Sequence, residues 1–151
     1  MPKSINKVLV PIDHSESSLE AAWIGLVVAN ALHATLTLMH VHENSTLEFT
    51  HVNYSEFDKL SHDAFHDSVL KYVDDPYSRE LCSAVNTGIV EIDCRPCEDK
   101  PAVEICRYAQ NQGISLIVMG SRGHTSIEEL LIGSVSSEVL HHAHCPVTII
   151  R

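Results

Sequence analysis

Apolar residues come in short runs along the chain, separated by longer stretches with helical spacing. Lys7-Val8-Leu9-Val10-Pro11-Ile12-Asp13 is almost wholly apolar, as a strand covered on both faces would be. Pro11 is in tension with that pattern because it gives no N–H to a ladder. Its place near the carboxyl end predicts that pairing has finished there. Ser15 stands where it can cap a helix with Glu16 in the first turn. Leu19, Ala22, Trp23, Leu26 and Val27 predict the buried face of that helix, which ends near Asn30 to His33. In Thr35 to Val41, Thr35, Thr37 and Met39 alternate with Leu36, Leu38 and His40, which predicts a second strand. A polar stretch runs from His42 to about Ser55. Phe57, Leu60, Ala64, Val69 and Val73 then give a helical pattern over Glu56 to Val73. Asp74-Asp75-Pro76 interrupts it, and a shorter helical piece follows from Tyr77 to Val85. Ile89 to Cys94 reads as a third strand whose charges suit an edge. Pro101 fits the first turn of another helix, with Ala102, Ile105, Cys106 and Ala109 as its stripe and Gly113 as its stop. The fourth strand is Leu116 to Met119. A short turn of helix follows at Thr125 to Leu131, then a last helix at Ser134 to His142 and a closing strand at Pro146 to Ile150.

Strict alternation of strands and helical crossovers predicts an α/β fold: a doubly wound open sheet of five parallel strands in one domain, residues 1–151. With strand one central, strands two and three fall on one side and four and five on the other, the order 3-2-1-4-5. Ligands of such sheets bind outside the carboxyl ends of the strands where the order reverses. That crevice lies between Asp13, at the end of strand one, and Gly120, at the end of strand four.

Composition narrows the chemistry. The chain has 151 residues, 44% hydrophobic and 20% charged, enough for one domain with a core. Its formal charge of -10 argues against nucleic-acid partners and acidic lipid surfaces. The hydrophobic runs are too short for membrane insertion. Met1-Pro2-Lys3-Ser4 passes straight into a strand-like run, so a cytoplasmic protein without a leader is expected. Five cysteines, an odd number, argue against a disulfide framework. Cys82, Cys106 and Cys145 read as small core side chains. Cys94-Arg95-Pro96-Cys97 has redox spacing, but Cys94 closes a strand and does not open a helix, as thiol activation would want. Among eleven histidines, His40 with His42, and His141 with His144, have spacings at which a metal site is conceivable.

The most informative stretch is Leu116-Ile117-Val118-Met119-Gly120-Ser121-Arg122-Gly123-His124, continued by Gly133-Ser134-Val135-Ser136. A buried strand, a glycine loop and a helix start rich in small residues make a place for an anion. Gly120 and Gly123 let backbone N–H groups approach phosphate oxygens. Gly133, Ser134 and Val135 offer more at a helix start, where the dipole favours negative charge by roughly 0.3–1 kcal/mol. The hydroxyls of Ser121, Ser134 and Ser136 add donors, and Arg122 and His124 add positive charge. Asp13 repels phosphate and suits a sugar hydroxyl or a base N–H. One cleft with a phosphate end and an acidic end describes a nucleotide. GxxxxGK[ST] is absent, and no GxGxxG follows strand one, which excludes the commonest nucleotide fingerprints.

Val118-Met119-Gly120-Ser121-Arg122-Gly123, nine further residues and then Gly133-Ser134-Val135-Ser136 resemble the signature of the universal stress protein family, whose ATP-binding branch carries G-2x-G-9x-G-[S/T]. Val8 to Ser15 resembles the family's opening strand and loop, and Cys145 to Ile150 its closing strand. The resemblance implies an adenine nucleotide alpha hydrolase-like, Rossmann-like fold that binds ATP, with ADP or AMP as alternatives. The nucleotide-binding set would be Pro11, Asp13, Ser15, Val41, Met119, Gly120, Ser121, Arg122, Gly123, His124, Gly133, Ser134, Val135 and Ser136. Within it, Asp13 and Val41 would contact adenine and the Gly120 region the ribose. Gly123, His124 and Gly133 to Ser136 would hold phosphates. Mg2+ or Mn2+ would ride on the phosphates and not on a protein cage. His124 stands where a permanently charged residue is common, so phosphate affinity is expected to depend on pH. The Asp74-Asp75-Pro76 break and the Cys94 to Lys100 connection also depart from the usual pattern.

The last strand, Val147 to Ile150, is apolar and at an open edge, which invites pairing with a second chain. The resemblance implies an antiparallel homodimer through it. No residue stands out as a general base, so the expected role is a nucleotide-responsive stress-tolerance module. Bound ATP would order the loop from Gly123 to Gly133 and alter a surface read by a regulated protein. A slow ATPase, or a redox or metal module using Cys94 and Cys97 or the histidines, are the alternatives.

Overall fold

The computed structural model describes residues 4–13, 15–43, 90–97, 99–121 and 132–151. The helices expected over 56–73, 77–85 and 125–131 lie outside the described residues.

The described elements are β1 (Lys7–Ile12), α1 (Glu16–Leu32), β2 (Thr35–Glu43), β3 (Val90–Cys97), α2 (Pro101–Gln112), β4 (Leu116–Gly120), α3 (Ser134–His142) and β5 (Val147–Ile150). They build an α/β Rossmann-like fold on a parallel sheet. The strands pair in the order β3-β2-β1-β4-β5, and every pairing is parallel.

Alternation along the strands assigns the two faces. Val8, Val10, Ile12, Leu36, Leu38, Leu116 and Val118 pack under α1 with Ala21, Ala22, Leu26 and Ala29. Leu9, Met39, Ile117 and Met119 meet α2 and α3 through Ala102, Ile105, Ala109 and Val139. Leu9, Leu36, Leu38 and Ile117 are all but fully buried, and each contributes roughly 1.5–3 kcal/mol relative to exposure.

Several boundaries differ from expectation. The buried face of α1 is Ser18, Ala21, Ala22, Gly25, Leu26 and Ala29, a stripe of mostly small residues that lets the helix lie close to the sheet. Val27, expected on that face, is 45% exposed. The helix is apolar nearly all round, so hydrophobicity alone cannot choose its buried side. α1 ends at His33 in the left-handed region, φ 53. α2 ends as expected at Gly113, φ 65, a conformation that favours glycine. β2 runs on to Glu43 and β3 to Cys97, because the two pair with each other from Leu36↔Val90 to Glu43↔Cys97.

Pro11 does lie within β1. The Lys7 carbonyl accepts from the Ser115 amide beside β4, and the Asn6 carbonyl from the Thr35 amide beside β2. Alternation therefore turns the backbone of Pro11 towards β4 and that of Ile12 towards β2. Pairing with β4 stops at Leu9↔Ile117, two residues before Pro11, while pairing with β2 continues to Ile12↔His40. The missing N–H falls where the ladder has already ended.

Candidate functional site

That early end of pairing makes the crevice. β1 continues to Ile12 and β4 to Gly120, both past their last shared pair. β4 is held on its other side by β5 as far as Gly120↔Ile150. The two strands are thus free of each other at their carboxyl ends, which is the opening expected where the sheet order reverses.

On the β1 side, Asp13 leaves the strand and organises the start of α1. Its Oδ1 accepts the Ser15 amide at 3.0 Å and the Ser15 hydroxyl. Ser15 caps the helix, its Oγ accepting the Ser18 amide at 3.2 Å. The Ser18 hydroxyl donates to the Ser15 carbonyl at 2.9 Å and accepts the Asp13 amide at 3.4 Å. Asp13 therefore presents a fixed, half-buried carboxylate above a capped helix start. Across the β1–β2 ladder, His40 Nδ1 lies 2.7 Å from the Ile12 carbonyl, and Val41 follows it on β2.

On the β4 side, Gly120 is shaped by packing. A Cβ there would lie 2.4 Å from Ser17 Oγ and 2.8 and 2.9 Å from the Ser17 backbone carbon and oxygen. This close approach of α1 is sufficient reason for glycine at this position. The Ser121 amide donates to the Ile150 carbonyl at 2.7 Å, and the Gly133 amide to the Ser121 carbonyl at 2.6 Å. The two ends of the segment 122–132 are pinned together at the tip of β4. Ser136 is buried, and its hydroxyl donates to the Gly120 carbonyl at 2.8 Å. These bonds correct part of the expected donor set. The Gly133 amide and the Ser136 hydroxyl, both in that set, are bonded to the Ser121 and Gly120 carbonyls, and the Ser121 amide, which was not, to that of Ile150.

The start of α3 is different. Its N-cap, Gly133, has φ −61 and ψ 160, makes no side-chain cap bond, and is followed by no acidic residue in the first turn. The Ser137 amide donates to the Gly133 carbonyl at 2.9 Å. The amides of Ser134, Val135 and Ser136 precede that bond and so have no acceptor within the helix. Ser134 is exposed and Val135 half-buried.

Pro11, Asp13, Ser15 and Val41 thus stand towards the carboxyl ends of β1 and β2, Met119 to Ser121 at the carboxyl end of β4, and Gly133 to Ser136 at the amino end of α3. Arg122, Gly123 and His124 lie outside the described residues. Ser17, Ser18 and His40 were not expected in binding roles, and no motif marks them.

Cys94 and Cys97 sit on one continuous strand. Three residues of strand separate Cα atoms by about 10 Å, beyond the roughly 7 Å a disulfide bridges. The described residues contain no group of three or more His, Cys, Asp or Glu able to hold a metal ion. A shallow groove of about 320 Å³ between α2 and α3 is lined by Cys106, Arg107, Glu138, His142 and His144, among others. Cys106 and Cys145 are half-buried free thiols that pack on the α2/α3 core. Burial raises both above their ordinary value, and for Cys145 the nearby Cys106 adds to the rise. Such thiols are poor nucleophiles. No helix among the described residues is long and apolar enough to cross a membrane.

Residues 4–151 match the model of the universal stress protein family. The chain is 32% identical over 152 residues to universal stress protein YxiE of Bacillus subtilis, covering 97% of this chain and 99% of the relative. Among solved structures it resembles universal stress protein UspA from Lactobacillus plantarum, with TM-score 0.71 and 24% identity over 99% of each chain. A universal stress protein in complex with cAMP aligns with TM-score 0.65 and 19% identity, covering 99% of this chain and 98% of that one. The Archaeoglobus fulgidus universal stress protein in complex with dAMP aligns with TM-score 0.65 and 15% identity, covering 99% of this chain and all of that one (100%). With nearly the whole chain matched, from the opening strand to the edge strand β5, this protein belongs to the universal stress protein family.

Proposed function

We propose that the chain is a nucleotide-responsive regulatory module of this family that takes ATP at the β1/β4 crevice. The observation that carries the reading is the start of α3. It has no side-chain cap and no first-turn acid, in a crevice whose other helix start carries the Ser15 cap, itself held by Asp13. A helix start of that kind favours an anion through its free amides and its dipole. In this reading the amides of Ser134, Val135 and Ser136 and the Ser134 hydroxyl meet phosphate oxygens. The Ser136 hydroxyl acts by fixing the helix start against β4. Gly123, with Arg122 and His124, closes the phosphate seat. Pro11, Asp13, Ser15 and Val41 take the base, and the end of β4 from Met119 takes the ribose.

Two structures that share the fold hold cAMP and dAMP, which supports an adenine base at the other end. A divalent cation such as Mg2+ or Mn2+ fits as a rider on the phosphates, since it keeps most of its own water and needs few protein ligands. The reading is of binding and not turnover: Asp13, the carboxylate that the described residues place at the crevice, is already the acceptor for Ser15. Pairing of two copies through β5 belongs to the same proposal. Ser121 links the site to that strand through Ile150.

The test is to denature freshly purified protein, identify released small molecules by mass spectrometry, and titrate the emptied protein with ATP, ADP and GTP. An adenine nucleotide in the release and a preference for ATP over GTP are expected. Failure to bind any adenine nucleotide contradicts the reading.

A further inference from the structure

We infer that His40 is a positioning residue that sets the spacing between the two segments assigned to the adenine base. This rests on the nucleotide reading above for its meaning, though not for its geometry. His40 Nδ1 lies 2.7 Å from the Ile12 carbonyl. A carbonyl only accepts, so Nδ1 carries the hydrogen. Ile12 is the last residue of β1, immediately before Asp13, and His40 is immediately before Val41. One side chain therefore ties together the residues that precede each of the two proposed adenine contacts.

The strand end needs such a tie. Beyond Leu9, β1 has no partner on the β4 side, and Pro11 could not supply a donor there in any case. Among the described strands, the carboxyl end of β1 is paired through β2, whose last pair with it is Ile12↔His40. The imidazole reinforces the anchor at that last pair. Asp13 then turns away to receive the Ser15 amide. Lengthening the His40 to Ile12 contact would let the Asp13 turn drift relative to Val41, and a base held between them would lose fit without any change at the phosphate end.

Three variants and two readouts test this. His40→Phe keeps a ring of similar size and removes the donor. His40→Asn places an amide N–H at the position of Nδ1 and restores it. His40→Leu checks that ring size is not the cause. The first readout, taken without nucleotide, is hydrogen exchange at the Ser15 and Ser18 amides. Faster exchange in the Phe and Leu variants and near-normal exchange in the Asn variant are expected. The second readout compares adenosine, ATP and tripolyphosphate. The Phe and Leu variants should bind adenosine and ATP roughly three- to tenfold more weakly, the loss of one hydrogen bond, with tripolyphosphate unchanged and ATP-over-GTP preference reduced. Asn should recover most of the loss.

Normal exchange at Ser15 in the Phe variant overturns the positioning role. So does an equal loss for tripolyphosphate, which would mean general destabilisation. If the unaltered protein binds no adenine nucleotide, the function reading falls, and the exchange readout still decides whether His40 holds the Asp13 turn.

Discussion

Two helices begin at the same edge of the sheet, and they solve the same problem in opposite ways. α1 opens on a side-chain cap: Ser15 takes the Ser18 amide, Asp13 takes the Ser15 amide, and Glu16 supplies first-turn negative charge. α3 opens on Gly133 with no cap and no acid. Both have the dipole that attracts anions. Among the described residues, only α1 meets it with a side-chain cap and a first-turn acid. The contrast shows that a helix start is a candidate seat for phosphate where its donors are not already used, and a motif match alone does not say which start that is.

The largest effect should come from the residue where the two halves of the crevice touch. Gly120→Ala drives a Cβ into the Ser17 backbone at 2.8 and 2.9 Å, and backbone cannot rotate aside. A loss of about 2–3 kcal/mol in urea unfolding is expected. A loss below about 0.5 kcal/mol would mean that α1 does not seat against β4 as described.

Next is Ser134→Pro. Proline is tolerated at the first helical position, and Gly133 at ψ 160 already has the extended backbone that must precede it. The change deletes an amide and a hydroxyl with the helix intact. ATP affinity by calorimetry should fall roughly tenfold, about 1.4 kcal/mol, with Ser134→Ala, which keeps the amide, losing less. Unchanged affinity in the proline variant would remove this amide from the site.

Ser15→Ala tests the other helix start. Loss of the cap should cost about 1 kcal/mol of stability and leave tripolyphosphate affinity as it was, since no phosphate is assigned to α1. A parallel loss of tripolyphosphate binding would erase the contrast between the two starts.

The smallest effect lies away from both. The Cys106 and Cys145 thiols are raised above their ordinary value of 9.0 by burial, so the fold favours the protonated form. Their contribution is complete below the unfolded-state value and is lost as pH rises through the folded one. Stability should therefore begin to fall above about pH 9, and a Cys106→Ala, Cys145→Ala double variant should show a flatter decline over that range. An identical decline would assign the loss to other groups.

Much of the framework was legible because its signals are local. Ser15 as a cap, Gly113 as a stop and the apolar runs of β1 and β4 depend on nearest neighbours in sequence, and the structure has them where the pattern predicts. What failed depends on distant contacts. Val27 was misplaced because α1 offers apolar residues on nearly every side, and only the sheet beneath selects among them. β2 and β3 extend to Glu43 and Cys97 because each supplies the other's ladder, information that neither segment holds alone. At the site, the glycine pattern marks where the chain turns, but not which donors are left for a ligand. The Ser136 hydroxyl and Gly133 amide read as phosphate donors until their acceptors, Gly120 and Ser121, are brought beside them. Residues 12 and 40 meet only through strand pairing, so His40 carried no sign of its role.

The most direct test of the contrast converts one helix start into the other. Gly133→Asp, at φ −61, installs at α3 the kind of cap that α1 already has. Against glycine it should raise stability by a few tenths of a kcal/mol, while the carboxylate occupies the donors and repels phosphate. Titration with ATP should then show affinity reduced roughly a hundredfold or more in a protein at least as stable as the original. Undiminished ATP binding by that capped variant would contradict the account at its centre.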